Sequence, residues 1–167
     1  MNALADLLIK YKAIEFGDFT LASGVKSGYY VDVKTAVTHP GFLAAIAHEI
    51  AARYEFDVVA GIAVGGVPLA VATALAANKP FAIIRAEEKD HGKKNPIIGD
   101  VKGKEILLVE DVTTSGGSAL YGITMLRNAG GRADRVVTVV DREQGAASML
   151  KAQAIDLCAL VRVSEIL

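Results

Sequence analysis

ILLVEDVTTSGGSAL, residues 106–120, changes character twice. It opens as an uninterrupted apolar run, the mark of a strand buried on both faces. Two adjacent acids, Glu110 and Asp111, close the run, and small or hydroxyl-bearing residues lead from there into a helical segment. Residues of this kind let backbone N–H groups approach an anion closely, their hydroxyls can donate, and a helix N-terminus adds partial positive charge. The stretch therefore reads as a strand, a phosphate cradle and a helix. No lysine follows the glycines, so it is not the GxxxxGKS nucleotide loop.

Working outward, similar Val- and Ile-rich runs stand at 58–62, 81–84, 136–140 and 155–161. Helical segments are expected at 68–78, 117–129 and 146–152, and only the connection 85–105 shows no apolar period of its own. Strands alternating with helices imply right-handed crossovers and a doubly wound, mainly parallel α/β sheet of about five strands. Upstream, Leu43, Ile46, Ala47, Ile50 and Tyr54 give a helix starting near Thr38 and Pro40 its buried stripe, and Leu4, Leu7, Leu8, Tyr11 and Ile14 recur at helical spacing. Short strands at 19–21 and 29–33 flank the turn-like SGVKSG and suggest a small hood. The expected organisation is one domain, with the N-terminal helix and hood in 1–36 and the α/β core in 37–167.

The 167 residues carry 18 Lys plus Arg against 19 Asp plus Glu, a net charge of −1 that disfavours binding to nucleic acid or anionic lipid. Glycines 61, 65 and 66 and Pro68 interrupt the uncharged stretch 58–77, which reads as strand, turn and helix rather than a membrane span. Asp6 breaks any signal-peptide core, so a cytoplasmic protein is expected. The single cysteine, Cys158, lies in an apolar run and reads as a small buried hydrophobe.

In such sheets ligands bind off the carboxyl ends of the strands. The residues just past those ends are GIAVGGVP (61–68), Arg85 with its polar loop, EDVTTSGGS (110–118), and Asp141 with Arg142. EDVTTSGGS resembles the phosphoribosyl pyrophosphate (PRPP) motif of type I phosphoribosyltransferases. With FTLASGVKSGYYVD (19–32), RAEEKDHG (85–92) and VVDREQGA (139–146), the chain is similar to the orotate phosphoribosyltransferases, in order over nearly its whole length.

That resemblance implies a pentosyltransferase of pyrimidine biosynthesis, which moves the 5-phosphoribosyl group of PRPP to orotate with Mg2+ and releases pyrophosphate. It implies PRPP contacts at Glu110, Asp111, Val112, Thr113, Thr114, Ser115, Gly116, Gly117 and Ser118, with Glu110 and Asp111 meeting ribose hydroxyls and, directly or through water, a magnesium ion held mainly by PRPP. Arg85, Lys89 and His91 match pyrophosphate-binding positions, and Lys89, His91 and Asp111 are the expected catalytic residues. Thr114, Arg142 and Tyr30 are the expected orotate contacts. The loop 86–99 is expected to be a mobile lid reaching the neighbouring site of a homodimer. Each residue also has a plainer reading: an ion pair with Asp141 or Glu143 for Arg142, core packing for Tyr30, and for 87–94 a solvated loop in which three lysines offset three acids. Some members of the family carry basic residues where Ala22, Gly65 and Ala86 stand here. The alternatives are transfer to another base and a non-catalytic ligand sensor on the same fold.

Overall fold

The computed structural model describes residues 2–86 and 95–167. Its centre is a six-stranded sheet of β3 (Val58–Ile62), β4 (Phe81–Ile84), β5 (Ile97–Ile98), β6 (Glu105–Thr113), β7 (Arg132–Asp141) and β8 (Asp156–Arg162). The spatial order is β5-β4-β3-β6-β7-β8, parallel except for the antiparallel β4–β5 pair. The sixth strand, β5, lies inside the connection that reads as structureless. Two residues are too few to display a period, and Ile83 and Ile84 of β4 supply their partners.

Alternation along β6 assigns the two faces. Leu107 and Val109 join a core with α1 (Ala3–Lys10), α3 (Pro40–Arg53) and α4 (Gly66–Ala77). Ile106 and Leu108 join the other core, with α5 (Gly117–Asn128) and α6 (Ala146–Lys151). Pro40 at the first turn of α3 fits there because its missing N–H has no helical acceptor to lose. Phe42, fully buried on α3, is the largest side chain of this layer that the expected stripe omits.

The hood is an antiparallel ribbon of β1 (Ile14–Thr20) and β2 (Lys26–Val31), followed by the one-turn helix α2 (Val33–Ala36). Its strands are longer than the expected 19–21, because Gly17 and Asp18 hide the pattern of β1 and the pairing shifts register between Phe16 and Phe19. Ile14 opens β1 instead of ending α1, since Lys12 at φ 55° reverses the chain. Val33 leaves the expected second strand for α2, whose N-cap Asp32 accepts from the Thr35 N–H and hydroxyl. Cys158 is half-buried against the first core rather than enclosed in it. Among the described residues no helix is long and apolar enough to cross a membrane.

Sheet order reverses between β3 and β6: α4 leads from β3 outward to β4, whereas α5 leads from β6 the other way to β7. The crevice beyond the carboxyl ends of these two strands is where a doubly wound sheet binds its ligand.

Candidate active site

Strand β6 continues past its apolar run to Thr113, so both acids stand within the strand and are nearly enclosed, Glu110 at 5% and Asp111 at 6% exposure. Strand alternation sends them to opposite sides. Glu110 faces α5, where the Ser118 hydroxyl donates to its Oε1 at 3.4 Å. Asp111 faces the other layer, where Lys34 Nζ of α2 lies 3.0 Å from its Oδ2. That contact is an ion pair too oblique for a directed hydrogen bond, and Oδ2 has no hydrogen-bond partner among the described residues. Burial, and then the charge of Asp111, push Glu110 from an ordinary 4.5 up to about 7, against the opposing pull of Ser118 and Lys34. Close contact with the Asp111 carboxylate raises the Lys34 pKa.

Beyond the acids lies a cleft lined by Glu110 and residues 112–119. Gly116, the N-cap of α5, takes a left-handed φ of 89°, which a side chain disfavours, and a Cβ there would meet Met149 at 2.9 Å. The first hydrogen bond of α5 runs from the Leu120 N–H to the Gly116 carbonyl at 2.9 Å, which leaves the N–H groups of 117–119 without helical acceptors. Thr114, Ser115, Gly117 and Ser118 are exposed. From behind, the carbonyls of Thr113 and Thr114 accept from Arg142 and Ala146 at 2.9 and 3.2 Å, tying the cradle to the end of β7. Free donors, open space and a braced backbone can take a phosphate.

Arg142 has neither of its plainer ion pairs. Asp141 is buried and accepts from the Thr113 hydroxyl at 3.2 Å and the Glu143 N–H at 2.9 Å. Glu143 turns to Ser164, whose N–H and hydroxyl donate to it at 2.8 and 3.0 Å and hold its pKa down. The Arg142 guanidinium instead lies over the Tyr29 ring, 5.3 Å from the centroid, with a buried Nε that has no partner among the described residues. Tyr30, adjacent on β2, is 45% exposed and pairs with Phe19 at 5.7 Å. The geometry thus brings Tyr29, not Tyr30, to Arg142. Arg85 is exposed at the end of β4, its backbone fixed by the Pro96 carbonyl at 2.7 Å and the Tyr121 hydroxyl at 2.9 Å. Lys89 and His91 lie outside the described residues.

Lys34 was not among the expected site residues. It follows the hood motif, and only the fold carries α2 across to β6.

No cluster of three or more His, Cys, Asp or Glu that could hold a metal occurs among the described residues. With Glu110 and Asp111 on opposite sides of β6, the donor set fits an ion that arrives on a diphosphate and meets a single carboxylate, directly or through water.

Residues 30–153 match the family described as phosphoribosyl transferase domain. An orotate phosphoribosyltransferase of Methanocorpusculum labreanum is 62% identical over 167 residues, 100% of this chain and 99% of the relative. The crystal structure of orotate phosphoribosyltransferase from Mycobacterium tuberculosis with Fe(III) dicitrate is similar at a TM-score of 0.82 and 32% identity, over 98% of both chains. The same enzyme in complex with PRPP aligns at a TM-score of 0.79 and 30% identity, over 98% of this chain and 96% of that one. A Gly-rich turn with open N–H groups at the switch point of the sheet and a full-length match of this strength lead to one conclusion: the chain belongs to the phosphoribosyl transferase family, among its orotate phosphoribosyltransferases.

Proposed function

We propose that the crevice between β3 and β6 performs the family's transfer as follows. The bond from ribose C1 to the diphosphate oxygen breaks, N1 of orotate bonds to C1, and orotidine 5′-monophosphate and pyrophosphate leave. Residues 114–118 hold the 5′-phosphate with free N–H and hydroxyl donors. Glu110 and Asp111 accept from the ribose hydroxyls. As the bond breaks, positive charge grows on the ribose and negative charge on the diphosphate, so positioning and fixed charges suffice and no protein nucleophile is required. Asp111 would meet, directly or through water, a magnesium ion brought by the diphosphate, which would supply charge offsetting the leaving group. Arg142, stacked on Tyr29, turns its unpartnered edge to the orotate carboxylate, a planar acceptor that suits its fork. Lys89, His91 and Arg85 approach the pyrophosphate, the first two from the segment 86–99 of the neighbouring subunit in a homodimer.

The observation that carries this reading is an arginine at the strand edge that both neighbouring acids have left unpaired, across from a phosphate cradle. Its test incubates protein, PRPP and Mg2+ with orotate, adenine, hypoxanthine or uracil, for the wild type and Arg142→Ala. Orotate alone should be consumed. Arg142→Ala should lose about 1.5–3 kcal/mol of transition-state binding, roughly tenfold to more than a hundredfold in kcat/KM for orotate, with little change in PRPP affinity. Conversion of a purine in place of orotate, or equal loss toward both substrates in the variant, would sink the reading.

A further inference from the structure

Both turns that form the crevice lack positive side chains: residues 61–68 carry no charge, and residues 110–118 carry only the two acids. A diphosphate that comes to this edge therefore meets carboxylates first. Among the described residues, Lys34 is a cation that reaches the junction from outside both turns. Lys34 extends from α2 to Asp111 Oδ2 at 3.0 Å, and the same carboxylate packs on the turn after β3, since a Cβ at Gly65 would lie 2.6 Å from Oδ2. Hood helix, acid and turn thus converge on one point, on the side of β6 opposite to Glu110 and its Ser118 contact.

The pair is lopsided. The Lys34 side chain is 63% exposed and that of Asp111 only 9%, so the ammonium forms the solvent-facing half. A lysine has three donors, and Asp111 is its only ion-pair partner among the described residues. Asp32, the nearest acid in sequence, is occupied by the N–H and hydroxyl of Thr35 at 3.0 and 2.6 Å. With its ammonium in solvent, the lysine can turn away at little cost in its own hydration. The base of the lysine is nonetheless fixed, because Val33 and Ala36 on either side are buried.

We propose that Lys34 is a binding residue for the diphosphate of PRPP: it holds Asp111 while the site is empty and turns to the diphosphate when substrate arrives, freeing the carboxylate for the ribose. This rests on the phosphoribosyl-transfer reading. It also gives a source, on a different element, for the cation that some relatives carry at the position of Gly65. An ammonium on a flexible stem suits such an exchange better than a rigid fork does.

The test compares wild type, Lys34→Met and Lys34→Arg by calorimetric titration with magnesium pyrophosphate alone, by KM for PRPP and for orotate, and by thermal melting. Lys34→Met should bind pyrophosphate at least tenfold more weakly and raise KM for PRPP to match. KM for orotate should stay within about twofold and Tm should hold, as expected for an exposed side chain. Lys34→Arg should recover most of the pyrophosphate affinity. Pyrophosphate binding by Lys34→Met equal to that of the wild type overturns the proposal, as does a loss that follows a fall in Tm or that Lys34→Arg fails to repair. Because pyrophosphate binding needs no base, failure of the orotate assay with a Lys34-dependent pyrophosphate affinity would count against the proposed reaction and not against this site.

Discussion

The turns after β3 and β6 share a plan, a buried strand running through glycines into a helix, yet the first is crowded at every glycine and the second opens at Gly117. In the first, Gly61, Gly65 and Gly66 are crowded: a Cβ at Gly61 would overlap the Gly66 carbonyl, and one at Gly66 would sit 2.8 Å from the Val109 carbonyl. In the second, Gly116 packs on Met149 and Ala146, but a Cβ at Gly117 beside it would meet nothing within 4 Å. The first turn is small so that protein can pack on protein, and its tightness presses Asp111 into place. The second is small so that space remains for something else. Composition alone does not separate the two. Both are Gly-rich and follow apolar runs, and the difference appears only in what stands opposite.

The sharpest way to break this comparison is Gly61→Ala. Its methyl would collide with backbone that has no rotamer in which to yield, so the variant should lose at least about 3 kcal/mol, or roughly 6–12 °C in Tm. A melt unchanged within 2 °C would show that the first turn has slack.

Glu110 tests what the second turn costs the fold. Folding raises its pKa from 4.5 to about 7, chiefly by burial. Between those values the folded chain keeps a proton that the unfolded chain has released, so stability falls as pH rises through this window, by up to about 3 kcal/mol. Below pH 4.5 both states are protonated and the penalty disappears. Glu110→Gln retains an uncharged side chain, so denaturant unfolding from pH 4 to 8 should match wild type at the acid end and show greater stability at the alkaline end. Parallel curves for the two proteins would mean that Glu110 is not strained by its surroundings. An activity lost while stability is gained is the pattern expected of a group kept for its substrate.

Much of this site is legible along the chain because its parts are contiguous. The cradle and Arg142 lie just past strand ends and both acids close the apolar run of β6, so the apolar runs locate them. The parallel, doubly wound sheet follows from the alternation, except for β5, whose two residues make no pattern. The hood is harder to read. Tyr29 and Tyr30 are neighbours of the same type, and which one turns inward depends on the pairing register of a ribbon with an irregularity at Phe16 and Phe19. Lys34 is harder still, since nothing near it in sequence announces a partner 77 positions away, and its role needs α2 folded against β6. Asp141 and Glu143 look equally available to Arg142 until Thr113 and Ser164 are seen to occupy them.

Gly117→Ala carries the smallest expected effect and bears most directly on the contrast. Residue 117 opens α5 at an ordinary negative φ, and the new methyl would face open space, so strain and overlap are both absent. Alanine is also the better helix former, so stability should stay within about 0.5 kcal/mol of wild type or rise slightly. The cost should instead fall on the ligand. A methyl on the lip of the cradle keeps a phosphate from approaching the N–H groups of the first turn of α5 as closely as glycine allows, so KM for PRPP should rise about threefold to tenfold, near 1 kcal/mol, with KM for orotate unchanged. A variant that melts several degrees lower would place Gly117 with the crowded glycines of the first turn, and the distinction between the turns would collapse. An unchanged KM for PRPP in a stable variant would leave the packing contrast intact and move the phosphate away from Gly117, toward the hydroxyls of Thr114, Ser115 and Ser118. Intact stability with weakened PRPP binding is the combination that only a glycine reserved for a ligand predicts.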